Sequence, residues 1–216
     1  MEEQIKDILK RRGALHIIND HRFYTEDSMK AGLREALIDN KNAVGCKFSR
    51  VWAMPSPWTF TIKPIAKLIS RYIGDGKGWI DPFAGENSPA EITNDLNPER
   101  PAKFHLHAKE FAMQLTEKYK GVLFDPPYSL RQTKECYDGI GYGMTMEDTQ
   151  SFPNNVKDIL ATKIETGGIA ICFGWNSGGF GKNLGFEMIE VLLVPHGGHH
   201  SDTIITVERK FTNEIF

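Results

Sequence analysis

The chain has 216 residues, 40% of them hydrophobic and 25% charged, the composition of one soluble globular domain able to bury a core without disulfides or metals. Its formal net charge of −2 excludes a basic tail or an acidic solvating segment. Cys46, Cys136 and Cys172 lie far apart with no C-x-x-C pair, which argues against a disulfide framework or a zinc knuckle, and the reading is a reduced, cytoplasmic chain.

The start, MEEQIKDILKRR, reads as an acidic then basic helix over residues 2–12 rather than a secretory signal. No later stretch approaches the roughly 18 apolar residues of a membrane span. Residues 27–39 form a second amphipathic helix, with Met29, Leu33, Ala36 and Leu37 at helical spacing behind an Asp-Ser cap. No Pro/Gly/Ser linker follows, so residues 1–50 are expected to extend a single domain whose core spans residues 52–210. From residue 78 short apolar strands alternate with helices. Strands are expected at 78–81, 91–95 and, more weakly, 104–106, then a helix at 108–119 and a buried strand at 121–125 stopped by prolines. A helix at 155–164, a buried strand at 168–174 and a closing strand pair at 188–194 and 203–207 complete the pattern. Alternation of this kind predicts an α/β fold with a mostly parallel, doubly wound sheet and an antiparallel closing strand. Ligands in such sheets bind beyond the carboxyl ends of the strands, where Asp81, Asp95 and Asp125 would line up.

Charge is unevenly spread. Residues 1–80 hold fourteen Lys/Arg against nine Asp/Glu, and the rest of the chain reverses that excess. A basic front half can recruit a polyanion, although a solvated Lys-rich helix face reads the same way.

The most informative string is Val122-Leu123-Phe124-Asp125-Pro126-Pro127-Tyr128. Two prolines hold the backbone near φ −65° and leave a carboxylate, a proline carbonyl and an aromatic face in one rigid turn. Asp125 and the Pro126 carbonyl can accept two amino hydrogens while Tyr128 stacks on the ring that bears them. The plainer reading is a strand-ending proline turn with a surface tyrosine.

With this string the chain resembles the D-P-P-Y amino-methyltransferases, which act on DNA bases with S-adenosylmethionine. Asp81-Pro82-Phe83-Ala84-Gly85 is similar to that family's cofactor loop, and Asp95 to the acid that binds the cofactor's ribose hydroxyls. Trp58–Ile65 (WTFTIKPI), with Thr59, Phe60 and Thr61, resembles its flanking cofactor motif. The resemblance covers residues 52–210. It implies a Rossmann-like methyltransferase fold, cofactor contacts at Thr59–Thr61, Asp81–Gly85, Asp95 and Asp125, and catalysis by Asp125, Pro126, Pro127 and Tyr128. It implies no metal. Asp rather than Ser before Pro-Pro-Tyr favours adenine N6 over cytosine N4.

The match has departures. Glu86-Asn87-Ser88 replaces the second glycine and small residues of the family loop, and only fourteen positions separate Asp81 from Asp95. The helix between those two strands must be very short or absent. His107 holds the place of an acid that the family shows near its third strand. Other motifs fare worse. His196-Gly197-Gly198-His199-His200 has metal-like spacing but falls between two closing strands, where a polar glycine turn is expected. Gly178-Gly179-Phe180-Gly181-Lys182 fails as a phosphate loop, since Asn176 and Asn183 stand at required positions.

The implied partner is DNA, duplex rather than single-stranded, with the target base flipped out. Phosphate contacts are expected from Lys10, Arg11, Arg12, Lys47 and Arg50, and base reading from residues 129–152 with Arg131 and Lys134, and from the Trp175–Lys182 loop with Trp175 and Asn176. So small a reader suits a stand-alone, phage-borne enzyme, monomer or dimer, in a bacterial or infected cell. The alternatives are an N4-cytosine or RNA adenine methyltransferase, a glutamine amino-methyltransferase, and a catalytically silent nucleic-acid-binding module.

Overall fold

The computed structural model describes residues 45–127, 146–198 and 200–211, with only the backbone of 146–152. The chain divides into two units between Gly45 and Cys46, and the described residues belong almost wholly to the second. The helices expected at 2–12 and 27–39 lie outside them, as do Lys10, Arg11, Arg12, Tyr128, Arg131, Lys134 and Cys136.

The described residues form seven strands and three α-helices: β1 (Lys47–Arg50), α1 (Lys63–Ile73), β2 (Trp79–Asp81), β3 (Ile92–Thr93), α2 (Ala108–Gln114), β4 (Tyr119–Phe124), α3 (Met146–Lys163), β5 (Ile164–Gly174), β6 (Phe186–Val194) and β7 (Thr203–Lys210). The strands make one sheet in the order β1-β6-β7-β5-β4-β2-β3. Every pairing is parallel except those of β7, which runs antiparallel between β5 and β6. This is a Rossmann-like α/β sheet with one antiparallel closing strand. Six strands therefore point their carboxyl ends at one edge.

Alternation along the central strands sorts side chains onto two faces. Leu123, Ile171 and Phe173 pack under α1, which contributes Ile65, Leu68, Ile69 and Ile73 at i, i+3, i+4 and i+8. Val122, Phe124 and Ala170 face α2 and α3 through Phe111, Ala112, Val156 and Leu160. Each such side chain contributes roughly 1.5–3 kcal/mol by leaving water. Helix α1 opens with Pro64 in its first turn and stops at Gly74, whose φ of 59° suits glycine.

Several boundaries differ from expectation. Helix α2 ends at Gln114 because Leu115 turns extended (φ −65°, ψ 122°), which lets Tyr119 pair with Ile164. Helix α3 starts at Met146 and runs through Pro153. The expected strand at 104–106 is a single parallel bridge between Phe104 and Asn94. Strand β1 was not foreseen at all. Between β2 and β3 there is no helix, as the fourteen-residue spacing requires.

Candidate active site

At the carboxyl edge of β2, β3 and β4 lies a cavity of about 590 Å³. Its walls come from four separate stretches: Trp58, Thr59 and Phe60; Pro82 to Asn87; Asn94 to Asn97 with Arg100; and Asp125, Pro126 and Pro127. Leu106 and Ala108 close one side. Strand geometry explains the convergence. β2, β3 and β4 are parallel neighbours, so the segments leaving them emerge side by side.

The loop after β2 is held by carboxylates on either side. Asp81 is fully buried and accepts from the Phe83 N–H (2.9 Å) and the Ser88 hydroxyl (2.6 Å). Asp95 accepts from the Gly85 N–H on one oxygen and the Asn97 N–H on the other, both at 2.9 Å. Asn94, also buried, donates its side-chain amide to the Pro82 and Leu106 carbonyls and accepts from the Leu106 N–H. Gly85 takes φ +55°, and a Cβ there would lie 3.6 Å from the Trp58 ring. Burial pushes the Asp81 carboxyl up to about 7, with Asp125 and Asp95 adding to the rise and the two hydrogen bonds opposing it.

At the mouth, the Arg100 guanidinium stacks 4.9 Å from the centre of the Trp58 ring and pairs with Glu86. Behind the proline turn, Phe124 meets Phe83 edge to face at 5.4 Å and Phe180 at 5.8 Å. Trp175 is exposed just past β5, next to β4, and Asn176 accepts from the Gly178 N–H. Lys157 donates to the Gly178 and Gly179 carbonyls, while buried Glu208 accepts from the Phe180 and Gly181 N–H groups. The glycine-rich loop is thus wrapped around a carboxylate, which suits no phosphate.

The cavity gathers most of the expected residues: Thr59, Phe60, Pro82, Phe83, Ala84, Gly85, Asp95, Asp125, Pro126 and Pro127. Two do not line it. Asp81 is turned beneath the loop as its anchor, and the Thr61 hydroxyl donates to the Trp58 carbonyl on the far side of its own turn. His107 caps α2 by accepting from the Lys109 N–H at 3.4 Å. Lys47 sits at the amino end of β1, away from this edge, and pairs with Glu190 at 3.1 Å. Arg50 is exposed at the carboxyl end of β1. His196 is buried with its ring nitrogens on the Ala53 carbonyl and the Thr203 hydroxyl, both at 2.9 Å. No cluster of metal-ligating side chains occurs among the described residues. Arg100 and Leu106 were missed, since only the fold brings them to the loops they face.

The donor set fits a nucleoside-bearing ligand. Each Asp95 oxygen spends one lone pair on a backbone N–H and keeps one, enough for a vicinal diol. Phe60, Phe83, Leu106 and Ala108 offer apolar surface for a planar ring.

No family model matches the chain, and no curated protein sequence matches it. The solved structures that part of the chain resembles include methyltransferases. TrmN from Thermus thermophilus is 14% identical over 69% of this chain and 49% of its own, with a TM-score of 0.47, so the chain spans about half the length of TrmN. The 1,6-didemethyltoxoflavin-N1-methyltransferase of Burkholderia thailandensis, solved with its substrate and S-adenosylhomocysteine, is 11% identical over 89% and 93%, with a TM-score of 0.48. NSun6 from Pyrococcus horikoshii is 14% identical over 62% and 48%, with a TM-score of 0.43. No described helix is long and apolar enough to cross a membrane.

Proposed function

We propose that the protein transfers a methyl group from S-adenosylmethionine to the exocyclic N6 amino group of adenine in DNA. One observation carries the reading: the flanking turn, the Asp81–Gly85 loop, Asp95 and the Asp125-Pro126-Pro127 turn all meet at one cavity. When bound, S-adenosylmethionine supplies a methyl group on a sulfonium, reactive toward a nitrogen lone pair. Asp95 would hold the ribose hydroxyls, and the apolar wall of Phe83, Leu106 and Ala108 the adenine ring.

The chain's own task is to make a poor nucleophile attack. The lone pair of an adenine amine is delocalised into the ring. Asp125 and the Pro126 carbonyl accept its two hydrogens, which localises that pair and stabilises the positive charge growing on nitrogen. Holding the two reactants in line lowers the barrier further, by up to roughly 7–11 kcal/mol. An amine inside a duplex is paired, so the base must first leave the stack at a cost of a few kcal/mol. Tyr128, next in sequence, supplies the stacking face that offsets about 1–3 kcal/mol of this. The methyl–sulfur bond would break as the nitrogen–carbon bond forms, its electron pair staying on the departing thioether. The methylated amine would pass one hydrogen as a proton through Asp125 to solvent, so no covalent nucleophile is required.

The test is methyl-labelled S-adenosylmethionine with duplex DNA, single-stranded DNA and RNA, followed by digestion to nucleosides. Label is expected in N6-methyladenine from DNA, and Asp125→Ala should reduce it to about a hundredth or less, the order of general-base or oxyanion losses. Label in cytosine, in RNA alone, or nowhere would overturn the assignment.

A further inference from the structure

A second hollow, of about 1040 Å³, lies between α1 and β1, at the edge of the sheet opposite β3. The turn Thr59–Thr61 separates it from the candidate site. Thr59 and Phe60 line the site, whereas Thr61 and Ser56 line the hollow. A polymer passing over this turn would touch both.

The hollow is cationic. Lys63, Lys67 and Arg71 of α1 and Lys47 of β1 line it, against one acid, Glu190. The three α1 residues repeat every four positions, so they form a row along one face. At 1.5 Å rise per residue the row is about 12 Å long, roughly the axial length of three to four nucleotides of one strand. Glu190 is buried and binds Arg71 through both oxygens at 2.8 Å, Lys47 at 3.1 Å and the Tyr72 hydroxyl at 2.6 Å. Tyr72 is itself pushed up to about 12, chiefly by burial, and so brings no charge of its own. One acid cannot offset four cations, and Lys63 and Lys67 stand exposed. Beside this row lie Val51, Met54 and Trp52, the last 58% exposed. A cationic row next to an open aromatic face is the combination by which proteins hold unpaired nucleic-acid strands.

We propose that this hollow is a track for an unpaired DNA strand leaving the candidate site, with Lys63 and Lys67 on its phosphates and Trp52 stacked on a base. The inference rests on DNA being the substrate. It adds a place where the strand next to the target is gripped.

The experiment uses the full chain and a fluorescein-labelled oligothymidylate single strand, which offers no adenine, with anisotropy read over a salt series. Each phosphate contact on a single strand adds about 0.7 to the log–log salt slope. The Lys63→Gln/Lys67→Gln variant should bind more weakly with a slope shallower by about 1.4. Trp52→Ala should weaken binding by roughly five- to 150-fold, the range of one base stack, without changing the slope. All three side chains are exposed, so circular dichroism should match the parent. Unchanged slope and affinity in the variants of a protein that still methylates DNA would remove the track and leave the proposed function standing. A parent that binds only duplex would also remove it. If the parent neither binds nor methylates DNA, both proposals fall together.

Discussion

Replacing Asp81 by asparagine would change one charge and almost no shape. The residue is fully buried under the loop that forms a wall of the candidate site. Its carboxyl is pushed up from 3.8 to about 7, first by loss of solvent and then by the nearby Asp125 and Asp95. The native protein therefore keeps a proton that the unfolded chain releases near 3.8. Unfolding between those two values releases it, so stability is fully present below the lower one. It is lost as pH rises through the higher. With 1.36 kcal/mol per unit, the loss between about pH 5 and about pH 8 comes to about 2–3 kcal/mol. Asparagine still accepts from the Phe83 N–H and can donate to the Ser88 hydroxyl, with no charge to desolvate. Urea unfolding of parent and Asp81→Asn at both pH values should show the variant gaining about 2–3 kcal/mol on the parent over that interval. A difference independent of pH would refute the buried-proton account. The Asp81 carboxyl would then be ionised in the native protein at both values.

Two further outcomes are expected. Asp95→Ala, which also frees the Gly85 and Asn97 N–H groups, should weaken S-adenosylmethionine binding at least about tenfold by calorimetry, the loss of one charged hydrogen-bond partner. Unchanged affinity would move the ribose site elsewhere. Gly121→Ala would place a Cβ 2.6 Å from the Trp79 ring and 2.7 Å from the Ile169 carbonyl, so unfolding should show a cost of about 1–3 kcal/mol or more. A variant as stable as the parent would mean that both the Trp79 ring and the β5 backbone at Ile169 give way at little cost.

What could be read from the chain alone was what local chemistry dictates. The apolar run at Val122–Phe124 can only be a strand buried on both faces, and the acids that end such runs reached the edge as expected. Spacing alone removed the helix between Asp81 and Asp95. What was missed is decided by distant partners. The sequence KFSR has no apolar alternation, yet it forms β1 because β6, some 140 residues later, offers an edge: Lys47 pairs with Glu190 and Arg50 with Leu193. Pro153 would ordinarily break a helix, but α3 runs through it. The Asp81–Gly85 motif leads to a loop that lines the cavity through Pro82 to Gly85, while Asp81 itself turns beneath it. Motif similarity locates a carboxylate along the chain and does not say which way it turns. Arg100 acquires its place by stacking on a tryptophan 42 positions earlier, for which no local signal exists.

Strand β3 is tied to the sheet by only two register positions, Ile80 with Ile92 and Asp81 with Thr93, and no helix covers the connection that leads to it. Beyond it, the chain through Leu106 is held by the polar bonds of Asn94 and Asp95 together with the packing of Leu96, Phe104 and Leu106, with no strand ladder longer than one bridge. Segments held in this way open at a smaller free energy than a sheet centre such as β4, β5 and β7. Amide hydrogens of residues 82–106 should therefore exchange with solvent ahead of those in the centre, which hydrogen exchange read by mass spectrometry would check. A ligand seated against Asp95 should suppress this opening, and the ordering it imposes is subtracted from its affinity. Its imprint is slowed exchange on one side of the molecule, with the central strands unchanged.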